Sequence, residues 1–254
     1  MMENNALNNI YVGTSGFDYP EWKGVFYPNV ITRDDFLEYY STVFNSVELN
    51  FTFYNIPDKV RMDRFVLNSK RRVDFAVKVN KALTHEKRSN WESIAKQFLE
   101  SIDPLIINEK LNALLFQLPP YFSYTTENRI YLAKLLDFFK GLPLVVEFRN
   151  NEWNKDSVYD GMVKRNVSIA HVTMPHLFEY QGQMVTPFVG DIAYVRMHDR
   201  IAYSEEEMES FLPILNEAVK EGRKVMIYFA KYADDAGIGN ATLLRRLTKD
   251  LIIQ

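Results

Sequence analysis

The chain has 254 residues, 47% of them hydrophobic and 25% charged, with a formal net charge of -3; this is ordinary globular composition, long enough for one sizeable core. The mildly acidic balance gives no overall basic footprint for a duplex nucleic acid, and the absence of cysteine removes disulfides, thiolate metal sites and cysteine nucleophiles together. The first residues lack the cationic start and apolar stretch of a secretory signal, and no later run reaches the roughly 18 apolar residues of a membrane span, so a cytoplasmic location without a membrane partner is expected.

After a loose N-terminal tail over 1–9, short apolar runs begin near Ile10, Ser46, Val73, Leu111, Leu142, Val167, Ala193 and Lys224. Most are separated by segments of helical periodicity, the alternation expected of βα units. Helix starts carry capping-box pairs: Thr32 with Asp35, Ser89 with Glu92, and Ser204 with Glu207. Trp91, Ile94, Phe98 and Ile102 form one apolar stripe, and Met208, Phe211, Leu212, Leu215 and Val219 form another that stops at Gly222. Both are core-packing faces. Between Met174 and Asp191, Pro175, Gly182, Pro187 and Gly190 interrupt any long helix, which leaves a lid or an irregular crossover. Eight strand runs without a linker or a break in composition predict a single (β/α)8 TIM barrel over 10–254, with an irregular connection after strand 6; an open α/β sheet is the alternative.

Polar residues recur at alternate positions near the downstream ends of these runs. In Leu142-Pro-Leu-Val-Val-Glu-Phe-Arg-Asn150, Val145, Glu147 and Arg149 share one face and Val146 and Phe148 the other. Charges inside a hydrophobic element are expensive unless paired or used, so the pattern marks a site. The same parity selects Glu48, Asn50 and Thr52 on the second run, Lys78 and Asn80 on the third, Gln117 on the fourth, His171 and Thr173 on the sixth, Arg196 and His198 on the seventh, and Tyr228 on the eighth. Barrel ligands bind at the C-terminal ends of the strands, where these residues fall. Two carboxylates against Lys78, Arg149 and Arg196 make a slightly cationic pocket, suited to an anionic or strongly polar ligand. Internal pairing of these charges is the plainer alternative.

The loops after the strands are rich in rings, with Phe17, Tyr19, Trp22, Phe26, Tyr54, Tyr121, Tyr124 and Trp153, on which sugars or bases could stack. Gly13-Thr-Ser-Gly16 could present N–H groups to an anion, although it lacks the spacing of a nucleotide-binding loop. After the eighth run, Lys231-Tyr-Ala-Asp-Asp235 occupies a frequent phosphate position, but Asp234 and Asp235 oppose an anion there; Asn240 is placed to cap the last helix.

Taken in order, Tyr11-Val-Gly-Thr-Ser-Gly-Phe with Trp22 and Tyr27-Pro28, Val47-Glu-Leu-Asn-Phe-Thr-Phe-Tyr54, Phe75-Ala-Val-Lys78 with Thr84-His85, Leu115-Phe-Gln-Leu-Pro-Pro120, Val146-Glu-Phe-Arg149 with Trp153, Val195-Arg-Met-His198 and Asn240-Ala241 resemble the YecE-like family, domain of unknown function 72, over nearly the whole chain. The resemblance implies a TIM-barrel fold and no established activity. It marks Glu48, Asn50, Tyr54, Lys78, His85, Gln117, Glu147, Arg149, Trp153, Arg196 and His198 as characteristic positions. Lys231 departs from it, because the family often has Asn there.

These residues suggest an enzyme of hydrolase or lyase type acting on an anionic sugar- or nucleotide-like substrate. Glu147 or Glu48 would serve as acid/base with Lys78 and His198 as further catalytic groups, and Asn50, Tyr54, His85, Gln117, Arg149, Trp153, His171, Arg196 and Tyr228 would bind substrate. A retaining glycosidase is disfavoured, since strands two and five are expected to hold their carboxylates well apart. The alternatives are a non-catalytic module binding a small anion or single-stranded nucleic acid, and a metal-dependent isomerase- or nuclease-like barrel recruiting Glu48, Glu147, His171 and His198. Lys78 could also act as a Schiff-base lysine. No metal ligand is assigned, and the sequence names no cofactor, substrate or oligomeric state.

Overall fold

Among the described residues ten strands follow in chain order: β1 (Ile10–Thr14), β2 (Ser46–Leu49), β3 (Asp74–Lys78), β4 (Leu111–Leu118), β5 (Leu144–Phe148), β6 (Val167–Val172), β7 (Glu179–Tyr180), β8 (Gln183–Met184), β9 (Ile192–Met197) and β10 (Lys224–Phe229). Eight are parallel neighbours in the order β1-β10-β9-β6-β5-β4-β3-β2, while β7 and β8 pair only with each other, antiparallel. The computed structural model describes residues 9–70, 72–172, 179–180, 183–184, 188–198, 202–230 and 235–250. The expected tail up to residue 8, Thr173, His176, Lys231, Asp234 and most of the 174–191 connection lie outside them.

Helices follow the strands as the alternation predicts: α1 (Phe36–Val43), α2 (Lys59–Asn68), α3 (Lys81–Thr84), α4 (Trp91–Ile107), α5 (Thr126–Phe138), α6 (Asp156–Lys164), α7 (Glu205–Glu209), α8 (Leu212–Lys220) and α9 (Ala236–Asp250). The strands are buried on both faces, as a parallel sheet requires. Their outward residues, among them Val47, Val77, Phe116, Val146 and Val195, join the helices in one core. Their inward residues, including Ala76, Leu115, Val145, Tyr194, Met226 and Tyr228, fill the lumen. This is the expected TIM barrel. Among the described residues no helix is long and apolar enough to cross a membrane.

The barrel closes between β1 and β2 with little backbone pairing. Only Ser15 and Glu48 form a bridge there, with the Gly16 N–H on the Glu48 carbonyl at 2.8 Å. Side chains take over the rest. Asn45 accepts from the Val12 N–H (2.9 Å) and donates to the Ile10 carbonyl (2.8 Å), and the Tyr40 hydroxyl accepts from the Thr14 N–H (2.9 Å) and donates to the Ser46 carbonyl (3.0 Å). Gly13 permits this approach, since a Cβ there would lie 1.9 Å from the Ser46 oxygen.

Several local expectations are corrected. Thr32 and Ser204 form their capping boxes, but α4 starts after Asn90 without a side-chain cap, so the Ser89–Glu92 box does not form. The stripe after Ser204 is split into α7 and α8, because Pro213 has no N–H to continue a helix. Strand β2 stops at Leu49 and the chain turns into a 3-10 helix over Phe51–Phe53, which removes Thr52 from the inward row; its hydroxyl donates to the Leu49 and Lys78 carbonyls instead. Asn80 caps α3 by accepting from the Ala82 N–H. Asn240 lies within α9, not at its start, and accepts from the Tyr203 N–H at 3.0 Å.

Candidate functional site

At the C-terminal ends of the strands the inward polar residues converge on one guanidinium. Arg196, at the end of β9, donates Nε and Nη2 to the two oxygens of Glu48 (2.9 and 3.0 Å) and Nη1 to Glu147 (2.6 Å). Glu48 on β2 also accepts from the Ser15 hydroxyl (2.9 Å), Asn50 Nδ2 (3.0 Å) and the Tyr194 hydroxyl (2.7 Å). Glu147 on β5 accepts from Gln117 Nε2 (2.8 Å), its partner in register on β4, and from Arg149 Nε (2.7 Å). Glu48, Glu147 and Arg196 are almost wholly buried.

Such an array survives burial because each charge is paired and each carboxylate oxygen is satisfied. Burial by itself would raise the Glu48 carboxyl, but the Arg196 guanidinium and the converging donors hold it at about 2. The same opposition, with Arg196 and Arg149 as the cations, keeps Glu147 below the usual carboxylate range. Burial would lower the Arg196 guanidinium, yet the two carboxylates raise it. Both glutamates are therefore fixed anions at neutral pH, and the expectation that one of them cycles a proton does not fit this arrangement. One guanidinium spans the two carboxylates, so they are also closer than the strand positions suggested; Arg196 fills the gap that a glycosidic bond would need.

Lys78, at the end of β3, is different. Among the described residues no carboxylate lies within ion-pairing distance of its Nζ, which sits 4.1 Å from the centre of the Phe53 ring. Burial and the nearby Arg196 charge lower its ammonium to about 8. Arg149 is 39% exposed at the mouth, and with Nε on Glu147 its two terminal nitrogens make no hydrogen bond among the described residues. His198, two residues beyond Arg196, is lowered to about 4 by burial and then by Arg196, so its imidazole is neutral. His85 is lowered by burial and then by Lys78; its Nδ1 lies 2.9 Å from the Thr84 hydroxyl, and its ring packs on Phe53. The buried Oδ1 of Asn50 has no partner among the described residues.

The structure does not bring every expected site residue to this mouth. His171 sits opposite Val195 and Val172 opposite Arg196, so the inward face of β6 carries Ser168, Ala170 and Val172, and His171 points to the helix layer against Phe188. Tyr228 faces inward but lies in the lumen core, its hydroxyl 2.6 Å from the Ser46 hydroxyl. Trp153 is 3% exposed, sandwiched between Phe122 and Phe148, and donates Nε1 to the Phe122 carbonyl (2.7 Å). It packs the rim, as do Phe17, Trp22 and Tyr27; Tyr54 and Tyr121 are the exposed rings. The Ser15 and Gly16 N–H groups already donate to Phe229 and Glu48, so the Gly13–Gly16 turn offers neither to an anion. Ser15 and Tyr194 were missed as site residues, although Tyr194 stands two residues before Arg196 on the same face.

A metal-using site would need Glu48, Glu147 and the histidines to converge. Among the described residues no three His, Asp or Glu side chains do so, and Arg196 occupies the space between the carboxylates.

The model of a family described as "Protein of unknown function DUF72" matches residues 11–252. The UPF0759 protein YunF of Bacillus subtilis is 29% identical over 157 residues, 59% of this chain and 54% of that protein, so the match spans about half the relative's length. The crystal structure of a DUF72 family protein from Thermotoga maritima superposes with a TM-score of 0.76 at 29% identity, covering 94% of this chain and 99% of that one. A DUF72 family protein from Enterococcus faecalis has the same fold, with a TM-score of 0.74, 23% identity and coverage of 94% and 97%. A xylose isomerase-like TIM barrel protein from Mycobacterium smegmatis, solved in complex with magnesium, shares the fold at a TM-score of 0.57 and 8% identity, over 95% of this chain and 96% of that one.

Proposed function

The chain belongs to the DUF72 family of proteins of unknown function, and from that premise we propose that it is an enzyme of lyase or hydrolase type acting on a small anionic, sugar-like substrate at the C-terminal mouth of the barrel. The observation that carries this reading is the contrast between Lys78 and the charges around it. Glu48 and Glu147 are paired with Arg196 and Arg149, while Lys78 lies over the Phe53 ring with no ion pair among the described residues. A half-buried cation with no ion pair among the described residues is poised to receive an anion and, near neutral pH, to exchange a proton.

Acid/base work passes in this reading from the glutamates to Lys78, with neutral His198 and His85 as further proton carriers. Arg149 supplies a planar fork for a carboxylate or phosphate. The unsatisfied Oδ1 of Asn50 accepts from a substrate hydroxyl. Glu48 and Glu147 act as positioning residues that keep Arg196, and through it the floor of the mouth, rigid.

The test is a panel of phosphorylated and carboxylated sugars, such as ribose 5-phosphate, glucose 6-phosphate and glucuronate, followed by mass spectrometry for turnover and by thermal shift for binding. Arg149→Met should abolish the ligand-dependent shift, and Lys78→Met should abolish turnover. Full turnover in Lys78→Met would refute the assignment; binding that depends on Arg149 with no turnover of any compound would point instead to a binding module.

A further inference from the structure

We propose that Lys78 is a covalent catalyst, whose Nζ condenses with the carbonyl carbon of a substrate bearing a nearby carboxylate or phosphate to form an iminium ion. The inference rests on the assignment of Lys78 as the reactive group, and it adds a bond to it.

The geometry points to this in three ways. First, both carboxylates within electrostatic reach of Lys78 are committed elsewhere: Glu48 accepts five hydrogen bonds, both oxygens of Glu147 are engaged by Gln117, Arg149 and Arg196, and neither carboxylate is within ion-pairing distance of Nζ among the described residues. Second, Nζ sits 4.1 Å from the centre of the Phe53 ring, and burial together with the like charge of Arg196 outweighs the pull of Glu48 and Glu147 on its ammonium. Lysines become nucleophilic in this setting, desolvated and beside other cations. Third, Arg149 lies at the same mouth with two terminal nitrogens that make no hydrogen bond among the described residues and can hold the anionic end of a substrate. At pH 7.5 an amine lowered to about 8 is free in roughly a quarter of molecules, against about one in a thousand for an ordinary lysine.

The step balances without a redox partner. The Nζ lone pair forms the C–N bond as the carbonyl π electrons move to oxygen, and one proton passes from nitrogen to that oxygen to give a carbinolamine. A second proton, delivered from solvent through the imidazoles at the mouth, lets the hydroxyl leave as water while the nitrogen lone pair closes the C=N bond. The iminium then draws the electrons of an adjacent C–H bond, whose proton passes to a neutral imidazole at the mouth and leaves an enamine; return of a proton to that carbon restores the iminium, and addition of water reverses the condensation.

Reductive trapping on the full chain tests it. The protein is incubated at pH 7.5 with pyruvate in one arm and dihydroxyacetone phosphate in the other, reduced with sodium borohydride, digested and mapped by mass spectrometry. The two arms distinguish a 2-oxo acid from a phosphorylated ketone. The expected result is stable labelling of Lys78 at least about ten-fold above any other lysine. Lys224 is the internal control, since it too is lowered by burial but lies at the opposite end of the barrel, with Nζ on Asn112. Lys78→Arg should lose the label while its thermal midpoint stays near wild type. Labelling spread evenly over the lysines, or none at Lys78 in either arm, overturns the iminium. If turnover still depends on Lys78 in that event, the acid/base assignment stands without the covalent bond.

Discussion

Arg196 grips Glu48 through both carboxylate oxygens, at 2.9 and 3.0 Å, and turns its remaining terminal nitrogen to Glu147 at 2.6 Å. Three buried charges thus depend on one side chain, which makes it the point at which the mouth is most easily broken.

Arg196→Met should destabilise the protein by about 3–5 kcal/mol at pH 7, because it strands the buried Glu48 carboxylate without a counter-charge and leaves Glu147 with Arg149 alone. Its pH dependence should reverse. In the wild type the Glu48 value of about 2 lies below the ordinary 4.5, so its stabilisation is complete above pH 4.5 and fades as pH falls toward 2. In the variant burial raises the Glu48 carboxyl, and stability should grow as pH falls from 7 to 5. Urea denaturation at the two pH values decides it; a variant weaker at pH 5 contradicts the account.

Lys78→Met should raise stability by about 1 kcal/mol at pH 7, since it removes a desolvated cation that has no carboxylate partner among the described residues. The folded value, about 8, is below the ordinary 10.5, so wild-type stability at this site rises with pH between those values. Thermal melts across that window should show the rise in the wild type and its absence in the variant.

His198 should titrate near pH 4 by NMR, because burial and the Arg196 charge oppose its imidazolium. Its neutral form then stabilises the fold above pH 6.5, and that contribution is lost as pH falls toward 4. A midpoint above 6 would remove it from the enclosed part of the mouth.

Tyr40→Phe should cost about 1–3 kcal/mol, the penalty for leaving the buried Thr14 N–H unsatisfied. Gly13→Ala should be worse, because its Cβ collides with the Ser46 carbonyl rather than with a side chain that can move. Equilibrium unfolding of both variants checks the order.

The barrel was legible in the sequence because parallel strands bury both faces and so appear as apolar runs, as in Ala113 to Phe116. The polar row was legible wherever the alternate spacing held to the strand end: Glu48, Lys78, Gln117, Glu147 and Arg196 all face the lumen. It failed at β6, where no flanking residue distinguishes Ala170 from His171 as the inward one and a slip of one residue exchanges the faces. It also failed for Trp153 and Tyr228, since a ring's chemistry does not reveal whether it stacks on a ligand or on Phe122 and Phe148. The saturation of Glu48 was invisible because it depends on Ser15 and Tyr194, whose chain-distant contacts carry no local signal.

The seam between β1 and β2 bears on how the molecule is made. Strand β1 draws its full backbone ladder from β10, Ile10 facing Val225 and Thr14 facing Phe229, whereas toward its sequence neighbour it has mainly the side chains of Asn45 and Tyr40. During translation the first strand leaves the ribosome long before the strand that secures it. Ring closure is then a late event, and a nascent chain halted before residue 224 presents an unpaired edge of β1 for chaperones to shield.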